Sequence, residues 1–93
     1  MNKEDYIGRV VYSKAGRDSG RFFLIINVID HNFVNIADGD LRKIENPKKK
    51  KLKHLSILEE CSYEIRGKLL NEEYVNNATV RKFLENRDVN KEV

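Results

Sequence analysis

The chain has 93 residues but only one cysteine, Cys61, and two histidines, and this scarcity excludes several kinds of site. A single cysteine cannot form a disulfide within the chain, and together with two histidines it cannot build a zinc centre with four Cys or His ligands. We therefore expect no metal site, and a reducing compartment fits this cysteine usage.

Long hydrophobic runs are also missing from the sequence. No stretch approaches the roughly 20 apolar residues that a membrane-spanning helix needs, and residues 1–10 lack the apolar core of a signal peptide. From these absences we expect a cytoplasmic protein whose partners do not include a membrane.

Motifs of catalytic chemistry are equally scarce. The sequence has no serine elbow, no cysteine and histidine in a known local context, and no phosphate-cradling loop that ends in Gly-Lys-Ser or Gly-Lys-Thr. The acidic pairs Glu59-Glu60 and Glu72-Glu73 are typical of solvated helix ends. Because catalysis needs a nucleophile with a base and an orienting group, we expect a protein that is not an enzyme and has no cofactor or small-molecule substrate.

Positive charge is present, and it is concentrated in one segment. The net charge is +3, yet residues 1–39 sum to zero and residues 55–93 sum to −2. Residues 40–54 contain seven Lys or Arg against two Asp or Glu, a net charge of +5. Such a concentration is typical of a polyanion contact. The basic side chains of this segment are Arg42, Lys43, Lys48, Lys49, Lys50, Lys51 and Lys53, with His54 beside them.

The lysine run, residues 48–53, has three possible explanations. Its ammonium groups repel one another, and RNA phosphates would neutralise them with release of counterions. Alternatively, the lysines solvate a sheet edge and prevent aggregation, or they contact an anionic membrane, although the apolar anchor that a membrane contact needs is missing here. RNA is the favoured explanation. We hypothesise that replacing Lys48–Lys51 by Glu abolishes RNA binding and leaves the fold intact.

The first part of the chain has the pattern of an antiparallel β-sheet. Residues 21–29 are almost continuously apolar, which predicts a central strand covered on both faces. Asp38-Gly39 is typical of a two-residue hairpin. Five short strands separated by tight turns favour a small closed barrel. The predicted strands are residues 7–14, 21–29, 33–37, 41–44 and 54–58.

The last third of the chain has helical periodicity. Apolar residues spaced by three and four, from Leu58 to Leu69, predict a helix over 59–71. Asn76-Asn77 predicts the start of a second helix that ends near Asn86. We expect one compact domain, in which residues 1–57 form the barrel and residues 58–93 form a helical extension that braces it. The apolar stripes of the two helices are Leu58, Cys61, Ile65 and Leu69, and Val80, Phe83 and Leu84.

Residues 8–39 resemble a KOW motif, which consists of a strand, a glycine-bracketed basic loop, a long apolar strand, a turn and a returning strand. The sequence is similar to a KOW-containing family of large-subunit ribosomal proteins of archaea and eukaryotes, and to small bacterial KOW-domain RNA-binding proteins. The similarity extends to about Leu55. The segments that carry it are Gly8-Arg9-Val10-Val11, residues 15–20, Val28-Ile29-Asp30, Asn32-Phe33-Val34 and Leu41-Arg42-Lys43.

The resemblance implies a mainly β fold, a small SH3-like antiparallel β-barrel followed here by two short α-helices. It also implies that the loop after the first strand approaches RNA. Glycines in this loop permit a sharp turn with exposed backbone amides, and the flanking cations can meet phosphate. An ordinary hairpin loop with solvated charges is the alternative. The loop-shaping residues are Gly16 and Gly20, and the cations are Lys14, Arg17 and Arg21.

We therefore expect a non-catalytic RNA-binding protein, associated with the ribosome or with translation, whose partner is ribosomal or another structured RNA. Core packing is the expected role of most of the strand aromatics, which are Tyr12, Phe22, Phe23 and Phe33. For Tyr12 the alternative is an exposed ring that stacks on a base, although the core is favoured. The alternative is a protein-interaction module that docks on a transcription or translation component through its acidic C-terminal helices. Salt distinguishes the two, because RNA binding weakens by roughly 0.7–0.9 log units per neutralised phosphate for each log unit of salt.

Overall fold

The computed structural model describes residues 2–91, and the side chains of residues 2–87. Five antiparallel strands form one sheet in the order β4-β3-β2-β1-β5. A short helix precedes the sheet and two helices follow it. The elements are α1 (Lys3–Tyr6), β1 (Arg9–Ser13), β2 (Phe22–Val28), β3 (Phe33–Ala37), β4 (Lys48–Lys51), a 3₁₀ turn (Leu52–His54), β5 (Leu55–Cys61), α2 (Tyr63–Leu70) and α3 (Asn77–Lys91).

The strand order confirms β2 as the central strand but not the closed barrel. β4 and β5 lie at opposite edges, and in the described part of the chain no ladder joins them. β4 has four residues and runs directly into the 3₁₀ turn, which leads the chain back to pair with β1. Within the described part of the chain, the sheet is therefore open.

Both faces of β2 are covered, as its continuous apolar sequence predicts. Neighbouring strand residues point to opposite faces. Leu24 packs on one face against Ile65, Val80 and Leu84 of the two C-terminal helices, together with Val10 of β1. The adjacent residues Phe23 and Ile25 belong to a second cluster on the other face, completed by Val11, Val34, Ile36 and Leu55. The helices thus supply the cover for one face of the sheet.

The strand predicted at residues 41–44 is wrong, because this segment forms turns. The carboxylate Oδ1 of Asp38 accepts the backbone N–H of Asp40 at 3.0 Å and that of Arg42 at 2.8 Å. These backbone groups bond to a side chain instead of a neighbouring strand. The fourth strand is the lysine run itself, where Lys48 lies opposite Ile36 and Lys50 lies opposite Val34.

The helix predicted over residues 59–71 is shorter than expected. β5 continues to Cys61, and α2 begins only at Tyr63, where the hydroxyl of Ser62 accepts the N–H of Ile65 at 3.2 Å. α3 begins as predicted, since Asn76 Oδ1 accepts the N–H of Thr79 at 2.8 Å, but it extends to Lys91. Within the described residues, no helix has the length and hydrophobicity needed to cross a membrane.

Candidate nucleic-acid interface

The β1–β2 loop, residues 14–21, has the glycine conformations that its sequence predicts. Gly16 and Gly20 have φ angles of +82° and +86°, a region that favours glycine. At the base of the loop, Ser13 donates to the carbonyl of Arg21 at 3.0 Å, and Gly20 donates to the carbonyl of Ser13 at 2.9 Å. The loop therefore closes tightly, and Arg17 lies exposed on it.

Two hydrogen bonds attach this loop to the lysine segment. Lys50 Nζ donates to the backbone carbonyl of Ala15 at 2.7 Å. The backbone N–H of Lys14 donates to the carbonyl of His54, in the 3₁₀ turn, at 2.9 Å. The loop, β4 and the 3₁₀ turn consequently lie side by side, although the lysine run begins 33 positions after Ala15 in the sequence.

Two of the predicted RNA-contacting arginines form ion pairs within the protein. Arg42 lies with its Nε and Nη2 atoms each 3.2 Å from Oδ2 of Asp18, a carboxylate that is 2% exposed. Arg21 Nη2 lies 3.3 Å from Oδ2 of Asp38, another buried carboxylate. Both pairs join the β1–β2 loop to the turn after β3, and both arginines already have anionic partners.

The alternation of β4 divides the lysines between two faces. Lys48 and Lys50 lie opposite Ile36 and Val34, whose side chains belong to the core. Cross-strand neighbours point the same way, so these two lysines are directed toward the core side. Lys50 is only 8% exposed, and Lys48 is half-buried.

Lys49 and Lys51 lie on the other face, together with Phe33. Lys51 is the direct cross-strand neighbour of Phe33. The Nζ atoms of Lys49 and Lys51 lie 4.5 and 5.9 Å from the centroid of the Phe33 ring. Both lysines are exposed, and so are Lys14, Arg17, Lys43 and Lys53, whereas His54 is half-buried.

Phe33 is a surface residue that the sequence interpretation assigned to the core. Its ring is half-buried and borders a cavity of about 340 Å³ that is also lined by Asn32, Lys51, Leu52 and Lys53. The period-two pattern of β3 contained the signal, because Val34 and Ile36 are the core residues and Phe33 must point the opposite way.

The turn before Phe33 is held by the carboxylate of Asp30. Its Oδ1 accepts the N–H of Asn32 at 2.8 Å and the N–H of Phe33 at 2.9 Å. The hydrogen bond from Asn32 is the main reason that the pKa of Asp30 lies below its ordinary value. The charged carboxylate therefore fixes the backbone that presents Asn32 and Phe33.

This surface combines exposed cations, a tight glycine loop and one aromatic ring. Such a set can bind phosphate oxygens through ammonium and guanidinium groups and can stack on a planar ring. Within the described part of the chain, no group of three or more His, Cys, Asp and Glu residues is arranged to hold a metal ion. No protein-family model matches the chain.

Proposed function

We propose that the protein is a non-catalytic RNA-binding module that contacts the phosphates of ribosomal or another structured RNA. The contact surface consists of those exposed cations of the β1–β2 loop, β4 and the 3₁₀ turn that form no salt bridge among the described residues, and we call it the basic surface. The observation that carries the proposal is the Lys50–Ala15 hydrogen bond, because it brings the loop and the lysine strand together. The members of the basic surface are Lys14, Arg17, Lys49, Lys51 and Lys53.

Among the described residues, no member of the basic surface forms a salt bridge, whereas Arg21 and Arg42 each do. Their mutual repulsion is relieved when RNA phosphates neutralise them, and these cations in turn displace the counterions condensed on the RNA. Arg21 and Arg42 contribute less, since each is already neutralised by a buried carboxylate. Lys50 supports the surface and is not part of it.

The arrangement of the sheet supports an open form of the SH3-like barrel that the KOW resemblance implies. β1 pairs with β2 on one side and with β5 on the other, so the first and last strands are neighbours. The loop after β1 is the one that the resemblance directs toward RNA, and it carries Lys14 and Arg17. We propose a role in the cytoplasm, in association with the ribosome or with translation.

A salt series on charge-matched variants tests the proposal. The purified, nuclease-treated protein is titrated onto fluorescently labelled structured RNA at several salt concentrations between about 50 and 400 mM. We expect a log–log slope no steeper than about −3.5 to −4.5, as neutralisation of up to five phosphates requires. The triple variant Lys49→Gln/Lys51→Gln/Lys53→Gln should bind at least about tenfold more weakly, with a shallower slope.

The control is Lys68→Gln/Arg81→Gln/Lys82→Gln, which removes the same charge from positions on the C-terminal helices, outside the basic surface. It should retain most of the affinity. Equal loss in both triple variants would show an effect of net charge alone and would contradict the proposed surface.

A second candidate function, docking on a protein of the translation or transcription apparatus, is favoured by exposed aromatic residues outside the basic surface. Tyr63 of α2 is 73% exposed and Tyr74 is 83% exposed, with the half-exposed Leu70 between them in sequence. Acidic residues such as Glu64 and Glu73 flank them. The test is binding to nuclease-treated ribosomal protein. An affinity that does not change with salt and is lost in Tyr63→Ser/Tyr74→Ser would support this function.

A further inference from the structure

The cavity beside Phe33 has the size and lining of a small binding site. Its volume is about 340 Å³, within the usual range for sites that hold small organic groups. The residues that line it are Asn32, Phe33, Lys51, Leu52 and Lys53. Aromatic, cationic and amide groups thus border one space.

The walls of this cavity are held in place before anything binds. The N–H of Leu52 donates to the carbonyl of Asn32 at 2.9 Å, which joins the two sides of the cavity. Asp30 fixes the backbone of Asn32 and Phe33 from the other direction. Val34, the next residue along β3, is fully buried. A preorganised ring loses little freedom on binding.

We infer that Phe33 and this cavity form a subsite for one unpaired nucleotide of the RNA, an inference that rests on the proposed RNA binding. The base stacks on the Phe33 ring while Lys51 and Lys53 contact the phosphates on either side. Asn32 offers both a donor and an acceptor to the base edge. Among the described residues, its Nδ2 atom has a single contact, a long one of 3.4 Å with Nε2 of His31.

The lysines near the ring do not prevent stacking. A cation–π contact at an exposed site changes an equilibrium by roughly two- to fivefold. Stacking of a base on an aromatic side chain changes affinity by roughly 5- to 150-fold. The base therefore displaces the ammonium group of Lys49 from the Phe33 ring, and the freed lysine is within reach of a phosphate.

The RNA at this subsite must be single-stranded, looped or bulged. In a base-paired A-form helix both faces of every base are covered by neighbouring bases, and proteins contact mainly backbone and 2′-hydroxyl groups. Only an unpaired base exposes a face to Phe33. The basic surface can contact phosphates in either kind of RNA, so the subsite adds a preference for unpaired segments.

Affinities for two RNAs with equal numbers of phosphates test this inference, one single-stranded and one fully paired. The Phe33→Leu substitution keeps an apolar side chain but removes the stacking face. We expect it to weaken binding of the single strand by about 5- to 150-fold and binding of the duplex by less than about twofold. Phe33→Tyr should restore single-strand affinity, and the exposed-aromatic control Tyr74→Leu should change neither value.

A direct readout on the unaltered protein accompanies the variants. A single strand that contains 2-aminopurine should lose fluorescence on binding, because stacking quenches this base. Three results would each overturn the subsite while leaving RNA binding in place. These are an absence of quenching, an unchanged single-strand affinity in Phe33→Leu, and an equal loss of affinity for both RNAs in that variant. Failure of the unaltered protein to bind either RNA would overturn the proposed function and the subsite together.

Discussion

The ammonium group of Lys50 lies 2.7 Å from the carbonyl oxygen of Ala15, and this bond gives one member of the lysine run a different role from its neighbours. Lys50 is 8% exposed, whereas Lys49 and Lys51 are on the surface. Strand alternation produces this difference, since side chains one residue apart point to opposite faces. Identical residues in sequence are therefore structural at one position and available for binding at the next.

The first prediction compares Lys50→Met with Lys49→Met, which remove the same charge. Lys50→Met loses a charge-assisted hydrogen bond in a buried position, and we expect the free energy of unfolding to fall by about 1–2 kcal/mol. Lys49→Met should change it by less than about 1 kcal/mol, because what is lost is an exposed cation–π contact with Phe33 and a screened attraction to Asp30. Urea unfolding measures both, and equal destabilisation would show that Lys50 is no more structural than Lys49.

The same buried position limits how the lysine run can be tested. Replacement of all of Lys48–Lys51 by Glu would place two carboxylates on the core side of β4, at positions 48 and 50. The one at position 50 would lie beside the Ala15 carbonyl. We now expect that variant to unfold in part, so loss of binding would not report on RNA contact alone. Variants restricted to exposed positions avoid this problem.

The second prediction concerns the ion pair between Asp18 and Arg42. Asp18 is 2% exposed, while the Arg42 side chain is 31% exposed and remains partly hydrated. We expect Asp18→Asn to destabilise the protein by about 1–3 kcal/mol, less than the loss of one partner in a fully buried pair. In a double-mutant cycle with Arg42→Gln, the two effects should be non-additive by about 1 kcal/mol or more. Additive effects in urea unfolding would mean that the pair contributes nothing to linking the two loops.

The third prediction compares two glycines with similar positive φ angles, Gly39 at +78° and Gly16 at +82°. A Cβ atom at Gly39 would overlap the backbone carbonyl of Asn77 at the start of α3. At Gly16, among the described residues, it would meet the Nζ atom of Lys50 at 3.0 Å, a contact that a shift of the lysine side chain by a few tenths of an ångström relieves. We expect Gly16→Ala to cost about 1–2 kcal/mol from backbone strain and Gly39→Ala clearly more, about 3 kcal/mol or above.

Thermal and urea unfolding of the two variants measure this difference. If Gly39→Ala is no less stable than Gly16→Ala, the close approach of the turn after β3 to α3 does not exist in solution.

The fourth prediction concerns the reactivity of Cys61. Partial burial raises the pKa of the Cys61 thiol above its ordinary value, an effect that Arg66 and Arg9 offset only in part. At a given pH the folded protein therefore holds less thiolate than the unfolded chain, and its reaction with a disulfide reagent should be slower. The raised pKa also makes stability depend on pH. Its contribution to the free energy of unfolding is fully present at a pH below the pKa of the Cys61 thiol in the unfolded chain, and it is lost as the pH rises through the pKa of this thiol in the folded protein.

Reaction rates of the thiol in native buffer and in urea, measured from neutral to alkaline pH, test this prediction. The midpoint of the native rate profile should lie at higher pH than that of the unfolded chain. A lower native midpoint would contradict the assigned effect of burial.

The sequence was most informative where the hydrophobic pattern was dense. Residues 22–28 and 33–37 were recognisable as strands because short continuous and alternating apolar patterns are typical of β-strands. The turn chemistry of Gly16 and Gly20 was also predictable. Phe33 was assigned to the core by its residue type, although the alternation of β3 predicts the opposite face.

Other features depended on contacts between distant residues. The turn at residues 41–44 forms because Asp38 captures backbone N–H groups, which an apolar pattern does not reveal. Four consecutive lysines have low strand propensity, and only pairing with β3 makes them a strand. Asp18 resembles an ordinary loop residue until its partner, Arg42, is seen 24 residues away. The spacing of Leu58 and Cys61 suits a helix as well as the strand that they occupy.

The most direct test of the account is residue-by-residue mapping of bound RNA. Backbone amide NMR spectra of the uniformly ¹⁵N-labelled protein are recorded during titration with structured RNA that contains an unpaired loop. We expect the largest shifts in the β1–β2 loop, in β4 and in the 3₁₀ turn, with smaller ones at Asn32 and Phe33. Shifts confined to α2 and the segment around Tyr74, or no shifts at low salt, would contradict the account.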